Sequence, residues 1–200
     1  MPDLQRDWNP LKPAEILAIF AGAPFPWCIA GGYAIEFAAG RVLRDHADID
    51  VLVLKRDANT VRQHFQDWDC WVADPPGNLR PWALGDELPG SAHDVWCRRG
   101  ARDNWRFQLM FDDSDGVNWK SRRNENVKCP ISELTRTDGS GILYLAPEVQ
   151  LFYKAKNPRP KDEIDFEAVL PLLRTSERNW LEAAIRKTYG NENPWLNLLA

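Results

Sequence analysis

The hydrophobic pattern of the first half of the chain predicts helices that alternate with short strands. Apolar residues spaced three and four apart indicate helices, and short apolar runs bounded by glycine, proline or charged residues indicate strands. We therefore expect helices at residues 12–21, 33–39 and 58–68 and strands at residues 27–30, 49–54 and 70–73. Residues 74–91 are rich in proline and glycine, which favours a loop.

The pattern of the second half turns helical after residue 146. Before that point we expect a hairpin of strands at 93–98 and 106–111, an acidic turn at 112–116, and an irregular stretch at 117–145 with one short strand at 142–144. Helical spacing then predicts helices at 148–156, 162–173 and 176–189. The order predicts an α/β fold with a mixed sheet backed by helices, in which a core of residues 1–145 precedes a small C-terminal helical segment of residues 146–200.

Composition narrows the class of protein. The 200 residues are 44% hydrophobic, enough for a substantial core, and no window reaches the roughly 18–20 apolar residues of a membrane span. The first residues lack a secretion signal, so we expect a soluble, cytoplasmic protein without membrane partners. A net charge of −4 without a basic stripe argues against a nucleic-acid partner. It is compatible with a polycationic small molecule but does not require one.

Other residue types add secondary expectations. The four cysteines lack metal-binding spacing, so we expect them to be buried small hydrophobes. The basic runs at 98–102 and 120–123 are expected to be solvated turns. Four of the ten tryptophans lie near the segments that should flank a cleft, where one or two could stack on a sugar or a base: Trp82, Trp96, Trp105 and Trp119.

A pair of carboxylates at the start of a strand is the first candidate for chemistry. Asp48 and Asp50 flank Ile49, and side chains two apart in a strand share a face. Their Cα atoms would lie about 7 Å apart, so both carboxylates could converge on a hard cation such as Mg²⁺. An Asp-x-Asp pair is more often a solvated strand edge, so the pair needs support from its surroundings.

That support comes from two glycines upstream. Gly31 and Gly32 follow the apolar run at 27–30 and precede the helix predicted at 33–39. Backbone N–H groups at a glycine turn and helix start favour an anion such as phosphate. The next strand brings the carboxylates to the same neighbourhood, so the sequence predicts a site for a metal-bound nucleoside triphosphate.

These residues resemble a known signature. Trp27-Cys28-Ile29-Ala30-Gly31-Gly32, then Gly40-Arg41, Arg44, His46 and Asp48-x-Asp50, is similar to the signature of the nucleotidyltransferase superfamily, in particular its aminoglycoside and lincosamide branch. A weaker similarity covers residues 146–154, where that family begins a C-terminal helical part. The resemblance implies a polymerase beta-like nucleotidyltransferase fold. It also implies Mg²⁺-dependent transfer of a nucleoside monophosphate, with ATP the expected donor, to a hydroxyl of a small acceptor.

One position departs from the family pattern. The family places a third carboxylate on a later strand, and the matching position here is Gln108, which cannot accept a proton. Asp94 could compensate if its strand pairs with that of Gln108 and brings both to one face. Asp112 lies about 13 Å further along the strand and is the less natural substitute.

The resemblance also suggests residues that would contact the nucleotide. Arg44 and His46 match the family pattern just before the aspartates, and related enzymes use basic residues of the helical part for the phosphates. Lys154 and Lys161 are our choices for that role, although Lys161 could instead pair with nearby acids and Lys154 could simply be exposed. Asp162 is equally expected to cap a helix.

Two other functions remain open at this stage. Gln108 favours a nucleotide-binding or regulatory module that kept the fold and lost turnover. A transferase acting on a protein or on a transfer RNA, as in a toxin–antitoxin pair, is the other alternative. The sequence alone does not select the acceptor, the base or the oligomeric state.

Overall fold

The structure is a computed structural model that describes residues 6–75 and 77–199. Its helices are α1 Pro13–Ile19, α2 Gly31–Ala39, α3 Ala58–His64, α4 Pro147–Lys154, α5 Pro160–Val169, α6 Thr175–Tyr189 and α7 Leu196–Leu199. Its strands are β1 Trp27–Ile29, β2 Asp50–Leu54, β3 Asp69–Ala73, β4 Leu79–Pro81, β5 Asp94–Arg98, β6 Phe107–Ser114, β7 Asn118–Ser121, β8 Asn124–Pro130, β9 Thr135–Thr137 and β10 Leu143–Leu145.

Local sequence explains where α2 ends and where α4 and α5 begin, three helices that surround the candidate active site described below. Gly40 takes a left-handed conformation, with φ of 65°, and ends α2 where a Cβ would be strained. Proline occupies the first turn of α4 and of α5, where its missing N–H costs no hydrogen bond. α2 follows β1 and α4 follows β10, so the ends of these helices determine the course of the chain after each of the two strands.

The strands form a mixed sheet in the order β4-β3-β5-β6-β2-β1-β10-β9, and β7 and β8 extend it from β6. The pairs β2–β6 and β1–β10 are parallel, and the other pairs along this order are antiparallel. The pairing joins the N-terminal segment β1-α2-β2, whose two strands are antiparallel, directly to the hairpin of β5 and β6. The predicted α/β class and mixed sheet are confirmed.

The sheet separates two hydrophobic clusters. One face packs on α1 and α3 through residues such as Val51, Val53 and Leu109. The opposite face packs on α2 and on the C-terminal helices through Leu52, Met110 and Phe152, among others. The division into residues 1–145 and 146–200 stays a prediction, but the second cluster draws side chains from both parts.

The stretch from 112 to 145 differs most from expectation. The predicted acidic turn is wrong for its first half, because β6 runs on to Ser114, and the stretch expected to be irregular contains β7, β8 and β9 before β10. These strands are short and largely polar, and only Trp119, Ser121 and Val127 are buried in β7 and β8. A half-solvated hairpin of this kind lacks the apolar period that predicts a strand. The loop predicted at 74–91 likewise contains the short strand β4.

The cysteines behave as predicted. Cys28, Cys70 and Cys97 are buried, Cys129 is partly buried, and all four are free thiols. Burial raises the pKa of the Cys129 thiol to about 12, which keeps it protonated. None of the helices in the described ranges is both long enough and apolar enough to cross a membrane.

Candidate active site

The turn between β1 and α2 lies against the first residue of β2. The Ala30 amide donates to the Asp50 carbonyl oxygen at 2.8 Å, which fixes the end of β1 beside the start of β2. Gly31 has φ of +67°, and a Cβ built on it would collide with the Asp50 carboxylate. A Cβ on Gly32 would collide with the His46 ring and the Arg44 guanidinium. Both glycines therefore make room for side chains of the site itself.

The Gly31 amide does not face the cavity as an open donor. It donates at 2.7 Å to the Oε1 atom of Gln150, a buried side chain on α4 that lies 119 residues away in sequence. The expectation that the Gly31 N–H would bind phosphate is therefore wrong, because that hydrogen bond is already made. The Gly32 N–H group donates no hydrogen bond to another of the described residues.

Asp48 and Asp50 both line one cavity, but only Asp50 is in the strand. Asp48 lies in the exposed segment before β2, so the prediction that strand alternation places the two carboxylates on one face is wrong. Both carboxylates nevertheless line a cavity of about 420 Å³ together with Gly31 and Gly32. No described residue donates a hydrogen bond to either carboxylate or forms an ion pair with it.

The electrostatics around Asp50 favour a bound cation. Burial, and after it the negative charges of Asp48 and Asp94, raise the pKa of the Asp50 carboxyl to about 7, although Lys154 and Arg122 partly oppose the shift. A carboxylate that is desolvated, repelled by its neighbours and unpartnered would be stabilised by a divalent cation. The described residues contain no cluster of three or more His, Cys, Asp or Glu side chains arranged around a metal. Asp48 and Asp50 therefore fit Mg²⁺ as two protein ligands, and phosphate oxygens would have to supply the rest.

Gln108 occupies the sheet position next to Asp50. The two residues are Cα partners on the parallel strands β2 and β6. The Gln108 Nε2 atom donates to the Oδ1 atom of Asp94 at 3.2 Å. The hairpin thus brings Asp94 beside Gln108, as the sequence predicts, while the role of Asp94 stays a prediction.

Arg122 joins the acids of this region. Its Nη1 atom donates to Asp94 Oδ1 at 3.0 Å, its Nε atom lies 3.9 Å from Asp112 Oδ1, and its guanidinium lies 5.3 Å from the centre of the Tyr153 ring. The side chain is only 11% exposed and lines the cavity, so the expectation of a solvated turn is wrong at this position. The same expectation is wrong for the buried Arg98 of the other basic run.

Asp112 is fully buried and does not reach the cavity. Its Oδ2 atom accepts hydrogen bonds from Trp119 Nε1 at 2.8 Å and from the Tyr153 hydroxyl at 2.7 Å. Burial raises the pKa of the Asp112 carboxyl, although Arg122 and these two donors oppose the shift. Asp112 acts as an internal acceptor that orients Trp119, Tyr153 and Arg122.

Arg44 and His46 are held by carboxylates of the protein. Arg44 donates through Nε and Nη2 to the two carboxylate oxygens of Asp165, at 3.2 and 3.1 Å. The His46 Nε2 atom lies 3.0 Å from Glu36 Oε1, and its ring lies 4.2 Å from that of Tyr33. Arg44 lines the cavity, while His46 packs behind it against Gly32. Their predicted contact with nucleotide stays a prediction.

Lys154 and Lys161 have different surroundings. The Lys154 Nζ atom lies 2.9 Å from Asp162 Oδ1 and 2.8 Å from Asp165 Oδ2, and its side chain is 7% exposed, so the alternative that it is simply exposed is wrong. Lys161 is half-buried, lines the same cavity and has no hydrogen bond or ion pair with the described residues. Its expected pairing with nearby acids is therefore wrong, and Lys161 keeps a charge available to a ligand.

Asp162 combines two functions at the start of α5. It accepts from the Arg159 amide at 3.1 Å, which caps the helix as predicted, and from the side chains of Arg159 and Lys154. Burial opposes ionisation, but these hydrogen bonds outweigh it and hold the pKa of Asp162 well below its usual range. The carboxylate therefore stays charged and keeps Lys154 in place.

A larger groove of about 670 Å³ lies between α1 and the β5–β6 hairpin. Arg99 covers Trp68 there, 4.0 Å from the centre of the ring, and the groove contains neither the glycine turn nor the aspartate pair. The smaller cavity is the better candidate because unpartnered carboxylates, a positive-φ turn and available basic side chains meet in it.

Several residues of the site carry no sequence signal of their own. Gln150 reaches Gly31 from 119 residues away, and Asp165 reaches Arg44 from 121 residues away. Only the weak similarity at residues 146–154 could have pointed to Gln150. The sequence did not indicate a role for Arg122, because it lies in a basic run of the kind that is typical of exposed turns.

The glycine turn, the paired aspartates and the mixed sheet together define a nucleotidyltransferase. A family model described as aminoglycoside-2''-adenylyltransferase matches residues 14–169, and the chain belongs to that family. No curated protein matches the chain.

Solved structures show the same fold. The crystal structure of ANT(2")-Ia in complex with adenylyl-2"-tobramycin is 18% identical, with a TM-score of 0.54 over 88% of this chain and 95% of that chain. The lincomycin-bound crystal structure of the lincosamide antibiotic adenylyltransferase LnuA is 14% identical, with a TM-score of 0.54 over 80% of this chain and 95% of that one. At these identities the likeness supports the fold rather than the acceptor.

Proposed function

We propose that the protein transfers a nucleoside monophosphate from a Mg²⁺-bound nucleoside triphosphate, ATP in the first instance, to a hydroxyl of a small acceptor. The observation that carries the proposal is the pair Asp48 and Asp50, whose carboxylates have no partner among the described residues and line a cavity that also contains available basic side chains. Nucleoside triphosphates supply the complementary group, a polyanion with its own divalent cation. We expect the reaction to occur in the cytoplasm.

Five charged residues of the cavity have distinct parts in this reaction. Asp48 and Asp50 would hold Mg²⁺, which, when bound, neutralises the phosphates and makes the α-phosphorus more electrophilic. Lys161 and Arg123 line the cavity and form no hydrogen bond or ion pair through their side chains with the residues that the structure describes, so they are suited to bind the β- and γ-phosphates. Lys154, already between two carboxylates, positions α5 and contributes its charge at longer range.

Asp94 is the residue best placed to take the acceptor proton. Its Oδ1 atom accepts from Gln108 and Arg122, and its Oδ2 atom accepts no hydrogen bond from the described residues. The hydroxyl oxygen would attack the α-phosphorus, the bond to the β-phosphate oxygen would break, and pyrophosphate would leave with its electrons. The hydroxyl proton would pass to the Oδ2 atom of Asp94, whose side chain is 35% exposed.

The family and the solved relatives support an antibiotic-like acceptor. The two relatives are bound to an adenylylated tobramycin and to lincomycin, so hydroxyl-bearing small molecules of both kinds are the first candidates here. The alternative of a protein or transfer RNA acceptor has no structural observation in its favour.

One observation favours a second candidate function. Position 108, next to Asp50 on the paired strands β2 and β6, holds an amide where the family pattern has a third carboxylate. Asp50 therefore has one fewer acidic neighbour. A chain with this site could bind nucleotide and act as a regulatory module without turnover.

The test is transfer of label from α-³²P-labelled triphosphates to tobramycin, lincomycin and a whole-cell extract, with and without Mg²⁺. We expect Mg²⁺-dependent labelling of a small molecule, lost by at least about 1,000-fold in Asp48→Asn because a metal ligand is removed. Asp67→Asn, an exposed aspartate elsewhere, is the matched control and should retain activity. Full activity of Asp48→Asn would reject the assignment. Nucleotide binding without labelling would support the regulatory module, and a labelled macromolecule would support the protein or RNA acceptor.

A further inference from the structure

The segment that carries Asp48 has little backbone support of its own. It joins α2 to β2 and contains no helix or strand. Within the described part of the chain, the backbone of residues 42–48 forms no hydrogen bond with other backbone groups. The far end of the segment is fixed, because Ile49 is buried in the core and its carbonyl oxygen accepts from the Gln108 amide at 2.9 Å. The position of Asp48 therefore depends on side chains that hold the near end.

Glu36 on α2 holds that near end. Its Oε1 atom accepts from the Leu43 amide at 2.8 Å and from the Arg44 amide at 3.1 Å. The same oxygen lies 3.0 Å from the Nε2 atom of His46. A single carboxylate thus contacts three of the six residues that precede Asp48.

The Glu36 carboxylate is satisfied within the protein. Glu36 is 8% exposed and does not line the cavity that contains Asp48 and Asp50. Burial opposes ionisation, but the two amides and His46 outweigh it and lower the pKa of the Glu36 carboxyl. The pKa of Asp50 is raised instead. Glu36 is therefore suited to hold the segment in place and not to bind a cation.

A second carboxylate holds the segment by a side chain. Asp165 is fully buried on α5 and accepts from the Nε and Nη2 atoms of Arg44 at 3.2 and 3.1 Å. Arg44 is thereby held at its side chain by Asp165 and at its backbone by Glu36. Only residues 45–48 separate this anchor from the buried Ile49.

His46 adds a further contact within this short stretch. Its side chain is buried, its ring lies 4.2 Å from the Tyr33 ring, and its Nδ1 atom lies 3.1 Å from the Nη1 atom of Arg44. The ring is therefore packed against α2, two residues before Asp48. Glu36 is the acceptor that these contacts share with the Leu43 and Arg44 amides.

We propose that Glu36 is a positioning residue of the candidate metal site, which fixes the start of the segment so that the Asp48 carboxylate meets that of Asp50. This inference rests on the proposed function. A segment released at Leu43 and Arg44 would place Asp48 beside Asp50 for a smaller fraction of the time, and the affinity for the cation would fall by that fraction.

Two variants of similar size separate the oxygen acceptor from the packing of the side chain. Glu36→Gln retains an oxygen that can accept from both amides, whereas Glu36→Met fills a similar volume without one. Calorimetry of the full chain with a non-hydrolysable ATP analogue, in saturating Mg²⁺ and in EDTA, gives the gain in affinity that Mg²⁺ provides. We expect this gain to fall about tenfold in Glu36→Met and to stay within about threefold of the parent in Glu36→Gln.

Glu177→Met is the matched control for a loss of stability alone. Glu177 also accepts from a backbone amide, that of Arg174 at 2.8 Å, and also pairs with a cation, Arg136 at 3.1 Å. It does not line the cavity of the two aspartates. Glu177→Met should lower Tm, as Glu36→Met should, but it should leave the gain in affinity from Mg²⁺ unchanged.

Hydrogen exchange tests the contact in the parent protein without any nucleotide. The Leu43 and Arg44 amides should exchange at least about tenfold more slowly than those of Asp45 and Ala47, which donate to none of the described residues. NMR resolves the four amides individually. The protection should be lost in Glu36→Met and largely kept in Glu36→Gln.

The outcomes separate this inference from the proposed function. An unchanged gain from Mg²⁺ in Glu36→Met, or an equal loss in Glu177→Met, would make Glu36 a purely structural residue and overturn the inference. Equal exchange rates of the four amides in the parent would overturn it as well, even if Glu36→Met does not fold. Failure of the parent to bind the ATP analogue would overturn the proposed function and the inference with it.

Discussion

Gln108 on β6 lies directly across from Asp50 on β2, so an amide occupies the sheet position next to a carboxylate whose pKa burial raises. The amide also donates to Asp94. A carboxylate at this position would add a third negative charge to Asp48 and Asp50. The amide therefore avoids further charge repulsion with Asp48 and Asp50, but it also removes one possible metal ligand.

Gln108→Glu should reverse that balance. We expect the variant to be less stable than the parent in EDTA, by about 1 kcal/mol or 2–4 °C in Tm, because the new charge faces Asp50 and loses the hydrogen bond to Asp94. Added Mg²⁺ should raise its Tm more than that of the parent, measured by differential scanning calorimetry. Gln63→Glu, at an exposed position on α3, is the control, and equal Mg²⁺ shifts in both variants would contradict the placement of the metal.

Gly31→Ala should be more damaging than backbone strain alone predicts. Gly22 and Gly31 have similar φ values of +73° and +67°, but a Cβ on Gly22 meets nothing within 4 Å, whereas one on Gly31 meets the Asp50 carboxylate. We expect Gly22→Ala to cost about 1 kcal/mol of unfolding free energy and Gly31→Ala at least about twice that. Urea unfolding measures both. Equal costs would mean that Asp50 can move aside freely.

The two lysines chosen for phosphate binding should separate into a structural and a ligand-binding residue. Lys154→Met leaves Asp162 and Asp165 without their shared cation and should destabilise the fold by about 3 kcal/mol. Lys161→Met removes a charge that has no partner among the described residues, so it should change stability by less than about 0.5 kcal/mol while weakening ATP binding about tenfold. Chemical denaturation and calorimetric titration with ATP measure the two effects. Unchanged ATP affinity in Lys161→Met would remove this residue from the nucleotide site.

The buried Asp112 should make stability depend on pH. Burial raises the pKa of this carboxyl above its unfolded value of about 4, so between the two values the folded state binds more protons and stability falls as pH rises. Asp112→Asn keeps an oxygen acceptor for Trp119 and Tyr153 and should flatten this dependence in urea unfolding from pH 4 upward. Asp113→Asn, with its side chain 49% exposed, should leave the dependence unchanged. A steeper dependence in Asp112→Asn would contradict the assignment.

The N-terminal segment β1-α2-β2 was predictable because its signals are local. The apolar run, the glycine pair, the short amphipathic helix and the aspartates follow one another within 25 residues, and two strands and a helix form there, although α2 already begins at Gly31 and β2 begins only at Asp50. Gln108 was indicated by the resemblance to the family pattern, and the predicted pairing of its strand with that of Asp94 brings these two residues together.

The rest depended on contacts between distant parts of the chain. Nothing near Gly31 in sequence indicates that Gln150 takes its amide hydrogen, and nothing near residue 122 indicates that this arginine turns inward to Asp94. The strands from 118 to 137 were missed because their exposed faces are polar and their buried positions few.

The Gly31 amide donates a hydrogen bond to the side chain of Gln150, which connects the glycine pair of the N-terminal signature to the C-terminal helix α4. A fragment that stopped at residue 145 would lack this acceptor and would also expose the sheet face that α4 and α6 cover. Chimaeras that exchange the C-terminal helices between relatives are therefore expected to disturb the cavity at Gly31, even where every residue of the signature is retained.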